Sequence, residues 1–244
     1  MRQRFSRVPR LFVAGGLRPQ MKFALAEDTA HHAARVLRLR EGEPVVLFDG
    51  RGGEYEARLF MPGRGRVMAE IGERRAIERE SPLAVTLVQA VSSGEKMDFT
   101  IQKAVELGVA AIQPVLTVKS LVRLNGMREA KKLAHWRRIA IAACEQCGRN
   151  RIPEIGEPLP LHRYRAKQES SKIVLSPAAE IKIGDLARSP LTLAVGPEAG
   201  FSGDEERMLE LAGFTPVGLG PRVLRTETAA LVALAALNAL AGDF

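Results

Sequence analysis

The sequence predicts an α/β protein in which helices cover a parallel β-sheet, preceded by a small domain made mainly of β-strands. Two observations support this prediction. From Leu83 onward short apolar runs alternate with amphipathic helical patterns, which favours a parallel sheet. Before that point apolar runs are separated by glycine-rich turns, which favours an antiparallel barrel or sandwich. We therefore expect two domains, residues 1–75 and residues 76–244.

The first domain is predicted to contain three strands in a meander. Its apolar runs EPVVLFDG, EYEARLF and RVMAEIG are joined by the turn sequences DGRGG and PGRGR. A short helical pattern precedes them, with Ala30, Ala33, Ala34 and Leu37 on one face. The charged stretch ERRAIERESP, which ends at Pro82, is the predicted linker.

The second domain begins with the predicted buried strand LAVTLVQAV. Ser92 and Glu95 then have the spacing of a capping box, and Gly108 ends the helix that follows. VAAIQPVLTV is the next strand, and a long helix follows it, with Leu133 and Trp136 on its apolar side. The final helix, from near Thr226, is apolar nearly all round, so we expect it to be buried in the core or against a second subunit.

The overall composition favours a polyanionic partner. Among 244 residues, 36 Lys and Arg against 28 Asp and Glu give a net charge of +8. The longest apolar run, AALVALAAL, is too short to span a membrane, and we expect a cytoplasmic protein. The two cysteines, Cys144 and Cys147, lack the further ligands of a zinc site, so we predict core residues and no metal.

Three loops follow predicted strands and are rich in glycine and proline: LSP, VGPEAG and GLGPRVLRTET. In parallel sheets such loops converge on a ligand at the carboxyl ends of the strands. None of them matches a phosphate-binding signature, so an uncharged adenosine group fits better than a nucleotide phosphate. Glu198 and Glu227 then suit a positive group such as a sulfonium, or alternatively they favour helix N-termini. Ser202 and Glu205 form a second predicted capping box.

Long stretches of the chain resemble one enzyme family. The segments RVLRLREG, GEKMDFTIQKAVELG, IAIAACEQCGRNRIPEI, VGPEAGFS and LGPRVLRTETA are similar to those of the bacterial 16S rRNA (uracil-N3) methyltransferases of the RsmE type, in the SPOUT superfamily. The chain departs from the family's usual GPEGG at Ala199, which is tolerable if the backbone φ there is negative.

The resemblance implies a SPOUT-type α/β knot, in which a parallel sheet carries a C-terminal trefoil knot, and a PUA-like N-terminal β-barrel. It implies a homodimer that binds S-adenosylmethionine and methylates N3 of a uridine in 16S rRNA of the small ribosomal subunit. The positions that match the cofactor site are Leu175, Gly196, Glu198, Gly200, Leu219, Gly220, Leu224, Arg225 and Thr226.

Three residues are candidates for the chemistry that this family carries out. Arg225 would stabilise negative charge on the uracil oxygens, Glu227 would accept the proton, and Asn150 would orient the uracil edge. Alternatively, Arg225 and Glu227 pair with each other and only shape the knot. The candidate RNA-binding arginines are Arg4, Arg7, Arg10, Arg35, Arg38, Arg149 and Arg151.

Two other functions stay open on the sequence. One is a non-catalytic RNA-binding or ribosome-assembly factor that keeps an inactive methyltransferase fold. The other is a related knotted methyltransferase that acts on a ribose 2′-OH or on a guanine in tRNA.

Overall fold

The computed structural model describes residues 8–63, 66–120, 126–186 and 188–244, which form two compact units. The first unit contains the described residues up to Glu80 and also Cys144–Ile152. The second contains Ser81–Ala143 and Pro153–Phe244. The sequence prediction placed the boundary after residue 75 and did not assign Cys144–Ile152 to the first unit.

The first unit is built on one five-stranded sheet in the order β1-β3-β4-β5-β2. Strands β2 to β5 pair in antiparallel fashion, and β1 pairs with β3 in parallel. The strands are β1 (Arg10–Phe12), β2 (Lys22–Ala24), β3 (Pro44–Phe48), β4 (Glu54–Gly63) and β5 (Arg66–Arg75). The helix α1 (Glu27–His31) continues as a π-helical turn, His32–Val36. The three predicted strands are confirmed, and β1 and β2 are additional.

Alternate residues of β4 and β5 form the core of the first unit. Tyr55, Ala57 and Leu59 of β4 are buried, as the two-residue period of a strand requires. Val67 and Ala69 of β5 are buried in the same way. The helix packs Ala30, and the π-helical turn packs Ala33, against this layer.

The second unit contains a seven-stranded sheet whose strands are all parallel. Its main order is β12-β10-β11-β6-β7-β8, and β9 also pairs with β7. The strands are β6 (Val85–Ala90), β7 (Ala111–Leu116), β8 (Glu154–Ile155), β9 (Leu159–Pro160), β10 (Ser171–Leu175), β11 (Leu191–Val195) and β12 (Thr215–Val217). The helices are α2 (Gly94–Glu106), α3 (Met127–Cys147), α4 (Gly203–Leu211) and α5 (Thr226–Ala241). The last residues of α3, from Cys144 onward, belong to the first unit.

Helices α2 and α3 each bury an apolar face, which for α3 is the face that the sequence predicts. Met97 and Ile101 of α2 and Trp136 of α3 are almost fully buried. One face of α5, with Ala233 and its neighbours, is buried in the core, whereas Leu240 is 57% exposed, so burial of the other face against a second subunit stays a prediction.

The described part of the chain contains no helix that is both long enough and apolar enough to cross a membrane. In the same residues, no group of three or more His, Cys, Asp or Glu side chains is arranged to hold a metal ion.

Candidate functional site

Three loops line one cavity at the carboxyl ends of β10, β11 and β12. The cavity opens to solvent, and together with the solvent at its mouth it measures about 750 Å³. Parallel strands all end at the same edge of their sheet, so the loops that follow them converge there. The prediction that the LSP, VGPEAG and GLGPRVLRTET loops meet is therefore confirmed. The contributing residues are Leu175–Pro177, 195–198, 200–201, Val217, 219–220, 222–224, Thr226 and, from neighbouring helices, Glu206 and Ala229.

The loop after β11, residues 196–201, is called the glycine loop here. A Cβ atom on Gly196 would lie 3.2 Å from the ring of Phe201, so a larger residue would push the ring aside. Gly200 has a φ of +70°, a conformation that favours glycine. The backbone φ of Ala199 is not positive, so its methyl group is tolerated, as the sequence analysis expects.

The predicted capping box at the start of α4 is confirmed. The Ser202 hydroxyl accepts a hydrogen bond from the Glu205 backbone N–H, and the Glu205 carboxylate accepts one from the Ser202 N–H. The predicted box at the start of α2 is wrong. The N-cap there is Ser93, whose side chain makes no capping hydrogen bond, so Glu95 is one residue short of the position that a box requires.

Glu198 of the glycine loop is paired with a lysine. Nζ of Lys96 lies 2.9 Å from Oε1 of Glu198. Partial burial raises the pKa of the Glu198 carboxyl, but the hydrogen bond and the charge of Lys96 outweigh it, so the pKa lies below its ordinary value of 4.5. The carboxylate is therefore ionised at neutral pH. It pairs with Lys96 and also lines the cavity.

Eight of the nine residues that the resemblance places at the cofactor site line this cavity. The exception is Arg225, which is exposed and is the N-cap residue of α5. Thr226 is buried, and its hydroxyl donates a 2.6 Å hydrogen bond to the Gly196 carbonyl. Oε2 of Glu227 is buried and has no hydrogen-bond partner among the described residues, so pairing with Arg225 through this oxygen is not observed.

The structure does not support the predicted role of Asn150 at the uracil edge. Its side chain is fully buried in the first unit. Its amide nitrogen donates to Glu54 Oε2 and to the Ile77 carbonyl, and its amide oxygen accepts from Arg10. Both polar ends of the amide are already engaged, which indicates a structural role.

Two of the predicted RNA-binding arginines belong to the same buried cluster. Arg10 pairs with Glu54 at 2.6 Å and lies over the Phe48 ring. Arg149 is 4% exposed and pairs with Glu80. Neither guanidinium is free to meet a phosphate, so these two predictions are corrected. The sequence could not reveal this, because the partner carboxylates are distant along the chain.

The other predicted arginines differ in their surroundings. Arg35 and Arg38 are exposed on the first unit, and Arg38 has a φ of +54° just after the π-helical turn. Arg151 is more than half exposed and lies 3.4 Å from Glu78. Arg4 and Arg7 lie outside the described residues.

The chain combines a parallel α/β unit that carries a loop-lined cavity with a small β unit, and both match family models of RNA methyltransferases. The family model of the RNA methyltransferase domain matches residues 79–238, and that of the RNA methyltransferase PUA domain matches residues 25–72. The chain belongs to the ribosomal RNA small subunit methyltransferase E family.

Three similar proteins illustrate the match over whole chains. The ribosomal RNA small subunit methyltransferase E of Buchnera aphidicola subsp. Schizaphis graminum is 35% identical over 242 residues, which are 97% of this chain and 98% of the relative. A Legionella pneumophila methyltransferase solved with bound SAM is 40% identical, with a TM-score of 0.94 over 98% of this chain and 100% of the other. The Neisseria gonorrhoeae ribosomal RNA small subunit methyltransferase E, solved with S-adenosyl methionine, is 41% identical, with a TM-score of 0.91 over the same shares.

Proposed function

We propose that this protein is an S-adenosylmethionine-dependent methyltransferase that methylates N3 of a uridine in 16S rRNA of the small ribosomal subunit. The observation that carries the proposal is the single cavity formed by the loops after β10, β11 and β12. It gathers eight of the nine positions that the family resemblance assigns to the cofactor, and full-length relatives with that cofactor bound support the assignment.

The lining of the cavity fits S-adenosylmethionine. Backbone and apolar side chains dominate it, which suits an uncharged adenosine group. Glu198 and Glu206 supply two carboxylates against the single guanidinium of Arg222, which suits a ligand with a positive sulfonium. When bound, this cofactor supplies an electrophilic methyl group.

The chain's own residues must make the uracil N3 nucleophilic. The N3–H proton has to leave, and the negative charge that spreads onto O2 and O4 has to be stabilised. Arg225, exposed at the N-terminus of α5, carries a permanent positive charge for this purpose. Glu227 is two residues further along the chain, and its Oε2 is unpartnered among the described residues, so it is the candidate proton acceptor.

A C-terminal trefoil knot belongs to the same proposal. The strand β12 lies at the edge of the sheet, yet α5, which follows it, contacts β6 and β11 in the middle. Residues 218–225 must therefore return from the edge to the glycine loop, where Thr226 bonds Gly196. This path brings the C-terminal segment against an earlier loop, as a knot requires.

Homodimer formation is proposed from the exposed side of α5. Val232 and Leu240 are 40% and 57% exposed on a helix that contains almost no charged residue. Such an apolar face is unfavourable in water and suits a second copy of the chain.

The exposed Arg35 and Arg38 of the first unit are the proposed phosphate contacts. The cytoplasmic location stays a prediction.

The proposed function is tested by adding the protein and labelled S-adenosylmethionine to small subunits from a strain that lacks this activity. Nucleoside analysis should find the label in 3-methyluridine. Label in a ribose 2′-O-methyl group or in methylguanosine would indicate another target. Cofactor binding without transfer to any RNA would favour the non-catalytic factor. Arg225→Ala should lower the single-turnover rate more than the cofactor affinity, and an unchanged rate would remove Arg225 from the chemistry.

A further inference from the structure

A fully buried glutamine lies at the carboxyl end of β6, outside the residues that line the cavity. Gln89 has no exposed surface, and its Nε2 lies 3.1 Å from Oγ1 of Thr226 and 3.0 Å from the Ala90 carbonyl oxygen. Thr226 Oγ1 in turn lies 2.6 Å from the Gly196 carbonyl oxygen. Two consecutive hydrogen bonds therefore join the central strand β6 to the glycine loop through the first residue of α5.

The direction of each hydrogen bond in this chain is fixed by the chemistry of the groups. A carbonyl oxygen only accepts, so the single hydroxyl proton of Thr226 goes to Gly196. The hydroxyl can then only accept from Gln89, so the amide nitrogen must face Thr226. The amide oxygen has no partner among the described residues, so the nitrogen alone holds this side chain in place.

The acceptor at the end of the chain has a special place in the glycine loop. The residue after Gly196 is Pro197, which has no backbone N–H. The Gly196 carbonyl is therefore the only hydrogen-bonding group of that peptide unit, and the Thr226 hydroxyl fixes its orientation. Both residues of this bond line the cavity.

We propose that Gln89 is a positioning residue for the cofactor site. It holds the Thr226 hydroxyl in place by a hydrogen bond, and the hydroxyl in turn fixes the orientation of the Gly196–Pro197 peptide. This inference rests on the proposed cofactor-binding function of the cavity. Burying an amide costs free energy unless its polar groups form hydrogen bonds, so an apolar side chain would be more favourable at this position if packing were its only role.

The neighbouring strand provides a matched control. Gln113 of β7 also donates from Nε2 to the carbonyl of its own next residue, Pro114, as Gln89 does to Ala90. Its second bond goes to the Glu157 carbonyl and makes no link to the glycine loop. Gln113→Met therefore removes a similar pair of hydrogen bonds without touching the chain from Gln89 to Gly196.

The test compares Gln89→Met, Thr226→Val, the double variant and Gln113→Met with the wild type. Cofactor affinity is measured by titration with S-adenosylmethionine, and KM is measured separately for cofactor and RNA. Gln89→Met should weaken cofactor affinity roughly three- to tenfold, as expected for one lost buried hydrogen bond. KM for RNA should stay unchanged. In the Thr226→Val background the same substitution should have little further effect, because the chain is already broken.

Equal cofactor affinity for Gln89→Met and wild type would overturn the inference, as would fully additive effects in the double variant. An equal loss of cofactor affinity in Gln113→Met would also overturn it, because a general loss of packing would then explain the result. If Gln89→Met does not fold, Gln89→Leu replaces it, since leucine is apolar and has no hydrogen-bond donor. Failure of the wild type to bind S-adenosylmethionine would instead refute the proposed function itself.

Discussion

Nζ of Lys119 lies 2.9 Å from the backbone carbonyl oxygen of Phe201 and 3.3 Å from that of Ala199. The preceding residue, Val118, donates its N–H to Oε1 of Glu205, whose other oxygen closes the capping box with Ser202. The segment after β7 thus contacts the glycine loop through Lys119 and the first turn of α4 through the Val118 amide. The loop is therefore fixed from two sides, by Lys119 and by Thr226.

Lys119→Met should weaken the affinity for S-adenosylmethionine, because two loop carbonyls lose a charged donor. A hydrogen bond to a charged group contributes about 1.5–3 kcal/mol, and partial exposure reduces this, so a loss of roughly three- to tenfold is expected by titration calorimetry. Lys172→Met is the control, since Lys172 also donates to a backbone carbonyl, that of Ala212, away from the cavity. Equal losses in both variants would contradict the role of Lys119.

Ser202→Ala should lower the free energy of unfolding by about 1 kcal/mol, because the first turn of α4 loses its side-chain cap. Urea denaturation measures the change. The chain offers a control in Ser93→Ala, because Ser93 occupies the same N-cap position on α2 without a capping hydrogen bond. A cost for Ser93→Ala as large as that for Ser202→Ala would mean that the hydrogen bond is not the cause.

Apolar runs and glycine-rich turns predict much of this fold. The run LTLAV becomes β11, in which every residue is buried, and the three loops that the sequence singles out line one cavity. Both features depend on local sequence, because a buried parallel strand needs continuous apolar residues. Strands β1 and β2 have only three residues each, too few for a two-residue period to be recognised.

The side-chain network of the site is much less predictable. Arg149 and Asn150 stand in a conspicuous motif, but their role depends on Glu80 and Glu54, which are far away in sequence. A charge alone does not indicate whether its partner is a phosphate or a buried carboxylate. Gln89 was missed because it lies inside a strand, where its only sequence signal is a polar residue in the run LAVTLVQAV.

Glu54→Gln should make stability less dependent on pH in acid. Burial raises the pKa of the Glu54 carboxyl, but hydrogen bonds from Arg79 and Arg10 outweigh it, so the pKa lies below its ordinary value of 4.5. A lowered pKa in the folded state means that the ionised group stabilises the fold above pH 4.5, and that this contribution is lost as the pH falls through the folded pKa. The unfolding free energies of wild type and variant should therefore converge below pH 4.5.

Urea denaturation from about pH 3 to about pH 7 covers the interval in which Glu54 is expected to protonate. Glu70→Gln is the control, because the ion pair between Glu70 and Lys22 is exposed and should contribute little at any pH. A difference between wild type and Glu54→Gln that stays constant over this interval would show that the charge of Glu54 does not stabilise the first unit.

Cys144 should resist alkylation in the native protein. Burial raises the pKa of its thiol to about 12, despite the opposing charge of Arg149, and Sγ lies 3.6 Å from the Arg151 carbonyl oxygen. The reactive form of cysteine is the thiolate, and at about pH 8 a group with this pKa is ionised in only about one molecule in ten thousand. Iodoacetamide followed by mass spectrometry should find modification confined to the partly exposed Cys147, with both cysteines modified in urea. Rapid modification of Cys144 in the folded protein would contradict the prediction that it is an inert core residue, and would point instead to a reactive CxxC pair.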